Sequence, residues 1–175
     1  MKNRTELAKY FAELGFKRGA EIGVLCGIFS KRMLEIIPNL NLLCIDSWLG
    51  RKGGRVFPEA VKLLKLYPRA NIIRASSMDA AKDVPNGSLD FVFIDADHSY
   101  QAVKDDIREW SKKVRKGGIV SGHDYYVFPN SGNRGVIDAV DEYVKDHGYK
   151  LELTDWDKKN PERDERQPSW RFVKI

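Results

Sequence analysis

Short runs rich in β-branched and aromatic residues alternate with amphipathic stretches of helical period along most of this chain. That alternation limits the fold more than any other feature, because it calls for a parallel sheet with helices packed on its faces. Leu7, Tyr10, Phe11 and Leu14 share one helical face, which Gly15 ends. A strand is expected at 20–23, a helix at 30–37 stopped by Pro38, and a second strand at 40–45, apolar enough to be covered on both sides. A helix at 59–66, a strand at 71–75 and a short helix at 79–83 follow, then a continuous apolar strand at 89–94. Tyr100, Val103, Ile107, Trp110 and Val114 give the clearest amphipathic helix, with Gly117 and Gly118 as its expected stop and a fifth strand beginning at 119–121. Val136, Ala139, Val140, Tyr143 and Val144 mark a last helix that Gly148 terminates.

The alternation then fails. Residues 151–153 and 170–173 both read as strands, but the polar stretch between them, 155–168, carries Pro161 and Pro168 and holds no crossover helix. Two strands joined without a helix pair antiparallel. The expected architecture is therefore α/β, a Rossmann-like seven-stranded sheet, mostly parallel with an antiparallel C-terminal strand pair and helices on both faces. One domain is expected over 1–175, with an N-terminal helix at 1–17, a cofactor-binding core at 18–146 and the strand pair at 149–175.

Composition excludes several classes. With 42% hydrophobic and 31% charged residues the 175-residue chain is globular rather than disordered. No apolar run approaches the roughly 20 residues that span a bilayer, and Met1 to Leu7 carry no signal-peptide core, so a cytoplasmic protein with no membrane partner is expected. Cys26 and Cys44 make neither a disulfide framework nor a zinc site. The net charge of +5 is local: Arg51, Lys52, Arg55, Lys62, Lys65, Arg69 and Arg74 face only Glu59 within 49–74. A basic segment of that kind points to an anionic small molecule more than to nucleic acid, for which no base-flipping motif and no zinc module is present.

Chemistry-bearing residues fall where strands end. Glu21-Ile-Gly23-Val-Leu-Cys-Gly27 leads from the first strand into a helix, and lacks the third glycine of a dinucleotide fingerprint, which disfavours an NAD-dependent oxidoreductase. Asp46 closes the second strand, Ser77-Met78-Asp79 follows the third and Asp95 closes the fourth. Strand ends of this type converge on one crevice. Taken singly, Asp46 and Ser77 also suit a turn or helix cap. Asp95-Ala-Asp97-His98-Ser-Tyr100 and His123-Asp124-Tyr125-Tyr126 follow adjacent strands, so their acids and imidazoles meet at one sheet edge. Clustered carboxylates need a cation, a proton or a base between them, and oxygen ligands with an imidazole suit Mg²⁺, Mn²⁺ or Fe²⁺.

The first-strand motif resembles that of class I S-adenosylmethionine-dependent methyltransferases, as found in catechol and caffeoyl-CoA O-methyltransferases. The Ile-Asp-x-Asp-His-x-Tyr and His-Asp-Tyr pair resembles a bacterial small-molecule O-methyltransferase group related to macrolide-sugar and aminocoumarin-sugar enzymes. The resemblance runs over about 18–146, and the terminal strand pair fits it too. It implies a chain that binds S-adenosyl-L-methionine through Glu21, Gly23, Gly27, Ser30, Asp46, Ser77, Met78 and Asp95. It implies a divalent cation, Mg²⁺ or similar, on Asp95, His123 and Asp124, with His123 standing where the family carries a carboxylate. Asp97, His98 and His123 are the candidate bases for methyl transfer to a small-molecule hydroxyl. A metal-dependent hydroxylase-like relative on the same fold and a nucleic-acid methyltransferase are the alternatives. The acceptor is shaped by 1–17, 48–58 and 125–135, where Trp48, Phe57, Tyr125, Tyr126 and Phe128 could stack on a ring and Arg51, Lys52 and Arg55 could close on an anion. The short N-terminal segment leaves that side open or completed by a second subunit in a homodimer.

Overall fold

The β-rich runs pair as their apolar pattern requires. β1 (Arg18–Ile22), β2 (Asn41–Asp46), β3 (Ala70–Arg74), β4 (Leu89–Ile94) and β5 (Val114–Gly122) lie parallel, and β7 (Trp170–Val173) and β6 (Glu152–Leu153) extend the sheet antiparallel. The strand order is β3-β2-β1-β4-β5-β7-β6. This computed structural model describes residues 1–49 and 53–175. β4 sits inside the sheet between β1 and β5 with all six of its residues buried, which explains its apolar run; the one polar residue in it, Asp90, accepts from the Lys17 and Arg18 N–H groups and from Arg115. The order reverses between β1 and β4, and the carboxyl ends of these two strands are where a doubly wound sheet opens a ligand crevice.

Two apolar cores cover the sheet. On one face α1 (Arg4–Glu13), α2 (Ile28–Ile36) and α3 (Gly53–Leu64) pack Phe11, Phe29, Met33 and Leu64 against Phe91 and Phe93. On the other, α4 (Ser77–Asp83), α5 (Tyr100–Lys113) and α6 (Gly135–His147) pack Ile107, Trp110 and Val140 against Val92 and Val120. The Tyr143, Tyr149, Phe172 and Trp170 rings run along the antiparallel end of this second core. Among the described residues no helix is long and apolar enough to cross a membrane.

Of the boundaries that differ from the sequence expectation, three have a clear physical cause. β5 starts at Val114, directly after α5, so Gly117 and Gly118 lie inside the strand rather than ending a helix. They serve an irregular pairing: Gly117 has φ +73°, a Cβ on Gly118 would press on Val114 and the Asp90 carbonyl, and the β4–β5 register shifts there. α3 begins at Gly53, ahead of the expected Glu59, because two glycines and Pro58 hide its first turns. α4 begins at Ser77, and Ser76 caps it by accepting from the Asp79 N–H at 3.1 Å.

Candidate active site

A cleft of about 1020 Å³ lies at the carboxyl ends of β1, β2 and β4. Its floor is the turn after β1. Gly23 has φ +93°, donates its N–H to Ile45 O at 2.9 Å, and packs so close to the Asp95 carbonyl that a Cβ would collide with it. Gly27, φ +84°, opens α2 with no side-chain cap, so the first N–H groups of that helix are left for a ligand or water.

Glu21 is 2% exposed and accepts a hydrogen bond from the Ser30 hydroxyl. Burial pushes its carboxyl up to about 8, against the opposing Ser30 bond and Arg4 charge. Ser30, expected at the cofactor, is itself fully buried and does not line the cleft; it is spent on Glu21. Asp46 lines the cleft and accepts from the backbone N–H of Leu25 at 2.9 Å and of Trp48 at 2.7 Å, one on each oxygen. Each oxygen keeps acceptor capacity for a diol. Ser77 and Met78 also line the cleft, but the Ser77 hydroxyl donates to Asp106 and accepts from the Trp110 indole at 2.7 Å. Burial raises the Asp106 carboxyl to about 6, against that Ser77 bond.

At the other end, one oxygen each of Asp95 and Asp124 and one ring nitrogen of His98 lie within 4.8 Å of one another. His98 Nε2 is 3.6 Å from Asp95 Oδ1 and 3.3 Å from Asp124 Oδ2, close enough to pair but without hydrogen-bond geometry to either, so this buried nitrogen has no partner. An unpartnered imidazole nitrogen facing two carboxylates fits a divalent cation. His123, named from the sequence as a ligand, also lines the cleft, its side chain 4% exposed with Nδ1 3.2 Å from Asp124 and 3.8 Å from Asp95 and its buried Nε2 without a hydrogen-bond partner. The converging set is thus Asp95, His98 and Asp124. Asp124 takes φ +56°, a conformation a non-glycine residue adopts only when its surroundings hold it there.

Charge within the cluster is well compensated. Burial would raise Asp95, but His123, His98 and Arg4 together hold it below the usual carboxylate range. Pairing with Asp95 raises His98, against burial and with help from Asp124 and Asp97. Asp97 is exposed and lowered by its bonds to Ser99, whose N–H it accepts at 2.7 Å; this commits it to the start of α5 and suits it poorly as a base.

Several residues that shape the site were not legible from the sequence. Arg4 Nη1 reaches Asp95 Oδ2 at 3.3 Å, and its Nε donates to Glu165 Oε1 at 2.9 Å. Glu165 is 2% exposed and also accepts from Thr5 and from Arg32 Nη1 at 2.6 Å. Arg163, Asp164 and Gln167 of the same stretch line the cleft, so the polar segment between β6 and β7 forms its wall. Of the aromatic residues expected at the acceptor, Tyr126 and Phe128 line the cleft with ring centroids 4.5 Å apart, and Phe128 stacks on His98 at 5.1 Å. Tyr125 is instead tied to Asp141 at 2.6 Å, and Trp48 packs on Phe57 at 4.8 Å. Arg51 and Lys52 lie outside the described residues, and Arg55 is exposed on the first turn of α3.

Comparison with known proteins places this geometry. A family model described as a methyltransferase domain matches residues 20–125, more than half of the chain. Among curated proteins, the uncharacterized protein R132 of Acanthamoeba polyphaga mimivirus is 41% identical over 63 residues, 36% of this chain; the match spans 27% of that relative's length. Among solved structures, the O-methyltransferase from Bacillus cereus in complex with SAH superimposes with a TM-score of 0.70 at 15% identity, covering 98% of this chain and 80% of that one. Cofactor-bound Rv0187 from MTB gives 0.73 at 15% identity, over 97% and 78% of the two chains. The precorrin-6y C5,15-methyltransferase from Geobacter metallireducens GS-15 gives 0.69 at 16% identity, over 98% and 87%. At these identities the structural matches establish the shared fold.

Proposed function

The chain belongs to the methyltransferase-domain family and carries the class I methyltransferase fold, and from that premise we propose that it transfers a methyl group from S-adenosylmethionine to a hydroxyl oxygen of a small molecule. The observation that carries this reading is the division of one cleft into two ends. Asp46 and the Gly23 turn make a polar cradle at one end, and Asp95, His98 and Asp124 form an acid–imidazole cluster at the other. When bound, S-adenosylmethionine supplies a methyl group on a cationic sulfur with a good leaving group. The protein has then to hold the ribose, align the acceptor and take its proton.

Asp46 offers its remaining lone pairs to the ribose hydroxyls while backbone N–H groups hold its orientation. His98 is the base the geometry favours. Its Nε2 faces Asp95 and Asp124, which favours a proton on that nitrogen and leaves Nδ1 as the basic atom. Phe128 fixes the plane of the ring. The same three side chains would hold a divalent cation, which when bound would lower the pKa of the acceptor hydroxyl. His98 cannot be ligand and base at once.

One experiment separates these readings. The protein is incubated with methyl-labelled S-adenosylmethionine and a panel of hydroxylated acceptors, before and after exhaustive chelation. Labelled ether and S-adenosylhomocysteine in equal amounts support methyl transfer; oxygen incorporation without label transfer supports the hydroxylase-like alternative. Activity that survives chelation and disappears in His98→Asn assigns His98 as base. Activity restored only by Mg²⁺ or Mn²⁺ assigns it as ligand.

A further inference from the structure

Trp48, expected from the sequence to stack on the acceptor, is instead 3% exposed and tied to Leu25 of the first glycine turn. Its indole N–H donates to the Leu25 carbonyl at 2.7 Å, and its own backbone N–H donates to Asp46. Leu25 in turn donates its N–H to the other Asp46 oxygen. Two adjacent loops, after β1 and after β2, are thus cross-tied by two hydrogen bonds, and a third within the second loop holds Trp48 to the same carboxylate.

The tie holds two residues in unfavourable backbone. Leu25 has φ +51° and Trp48 φ +46°, both non-glycine residues in the left-handed region. Such conformations cost energy and persist only where the surroundings enforce them. The ring of Trp48 is braced by Phe57 of α3, whose other neighbour is the Arg74 guanidinium 4.6 Å from its centroid. Leu64 of the same helix packs where Gly27 lacks a Cβ, so α3 supports the first loop at a second point. Leu25 itself lines the cleft and is half exposed, which is the condition of a loop prepared to receive a ligand.

We propose that Trp48 is a positioning residue for cofactor binding: its indole N–H fixes the Leu25 peptide, and through that peptide it sets the Asp46 carboxylate at the orientation the ribose diol needs. The proposal rests on the cofactor reading above and goes beyond it by assigning affinity to a residue that need not touch the ligand. Without the indole donor, Leu25 relaxes from its left-handed conformation, its N–H leaves Asp46, and the carboxylate loses one of two supports. Trp48→Phe removes the donor and keeps a ring against Phe57.

The test is calorimetric titration of S-adenosylhomocysteine into wild type, Trp48→Phe, Asp46→Asn and the double variant. Trp48→Phe should weaken binding roughly tenfold, the size of one hydrogen bond to a held group. On the Asp46→Asn background the same change should add less than about twofold, because the two act through one carboxylate. Trp48→Phe binding within twofold of wild type overturns the proposal, and so does an equal loss on both backgrounds, which marks a merely structural role. A measurement needing no variant is hydrogen exchange at the four tryptophan indoles. Slow exchange at Trp48 supports the tie, and exchange at the rate of an exposed indole overturns it. Wild type that fails to bind S-adenosylhomocysteine sinks the cofactor reading itself, and the first titration reads that outcome separately.

Discussion

Glu21 is the penultimate residue of β1, 2% exposed at the floor of the cleft and hydrogen-bonded to the Ser30 hydroxyl. With its carboxyl pushed up to about 8 it keeps a proton through a pH range where the unfolded chain has lost it. The native state then binds more protons than the unfolded state between about 4.5 and about 8, so stability falls as pH rises through that window. A tenfold change in proton affinity is worth about 1.4 kcal/mol, so the loss is bounded by about 5 kcal/mol. Urea unfolding at pH 5 and pH 8 should show wild type losing stability across the interval and Glu21→Gln losing clearly less; parallel losses would contradict the assignment. Sequence identified Glu21, Gly23, Gly27, Asp46, Asp95, His98 and Asp124 because each sits at a strand end in a local pattern. It could not rank them, since burial and pairing decide whether an acid holds a proton, a backbone N–H or a cation. Ser30 shows the difference: its position in the motif is legible, while its commitment to Glu21 is a property of packing. His123 and His98 are equivalent histidines in sequence, and only the geometry shows that each brings a ring nitrogen within 4 Å of both Asp95 and Asp124 and that His98 converges with the two carboxylates as a candidate ligand set.

Among elements, the segment between β6 and β7 changed most between sequence and structure. Its prolines and mixed charges mark it correctly as a loop, but its partners, Arg4 and Arg32, lie more than 130 positions away in the chain. No local period records such a pairing. Glu165 joins α1, α2 and this loop beside the cleft, and removing its charge leaves Arg4 partly unpaired in a buried site. Breaking one member of a buried pair costs about 3–5 kcal/mol. Glu165→Gln should therefore lower the unfolding free energy measured in urea by an amount in that range, while Glu162→Gln, on an exposed partner of the same Arg32, should cost under about 1 kcal/mol. Equal effects from the two would show that the knot is not what ties the loop down. Strand and helix types were legible because apolar period is a local property. Boundaries failed where glycine or proline serves a tertiary purpose, as Gly117 and Gly118 do in the bulged start of β5.

Over the whole molecule, a sheet that reverses its strand order at β1 and β4 gathers residues from Arg4 to Gln167 into one cleft. The basic segment 49–74 borders that cleft through Leu49, which lines it, and through Phe57 of α3, which braces Trp48. A ligand that binds only the folded state stabilises it by mass action, by about 2.7 kcal/mol at a hundredfold excess over its dissociation constant. For a chain of this size that corresponds to a rise in Tm of roughly 2–4 °C per kcal/mol. S-adenosylhomocysteine should therefore raise the melting temperature by several degrees, and ATP or NAD at the same concentration should not. The most direct test of the central claim is calorimetric titration of S-adenosylmethionine into wild type and Asp46→Ala. The fold and the Asp46 cradle predict one site of micromolar affinity in wild type, weakened about a hundredfold by the loss of two charge-assisted hydrogen bonds. No heat and no thermal shift in wild type, or undiminished binding in Asp46→Ala, would contradict it.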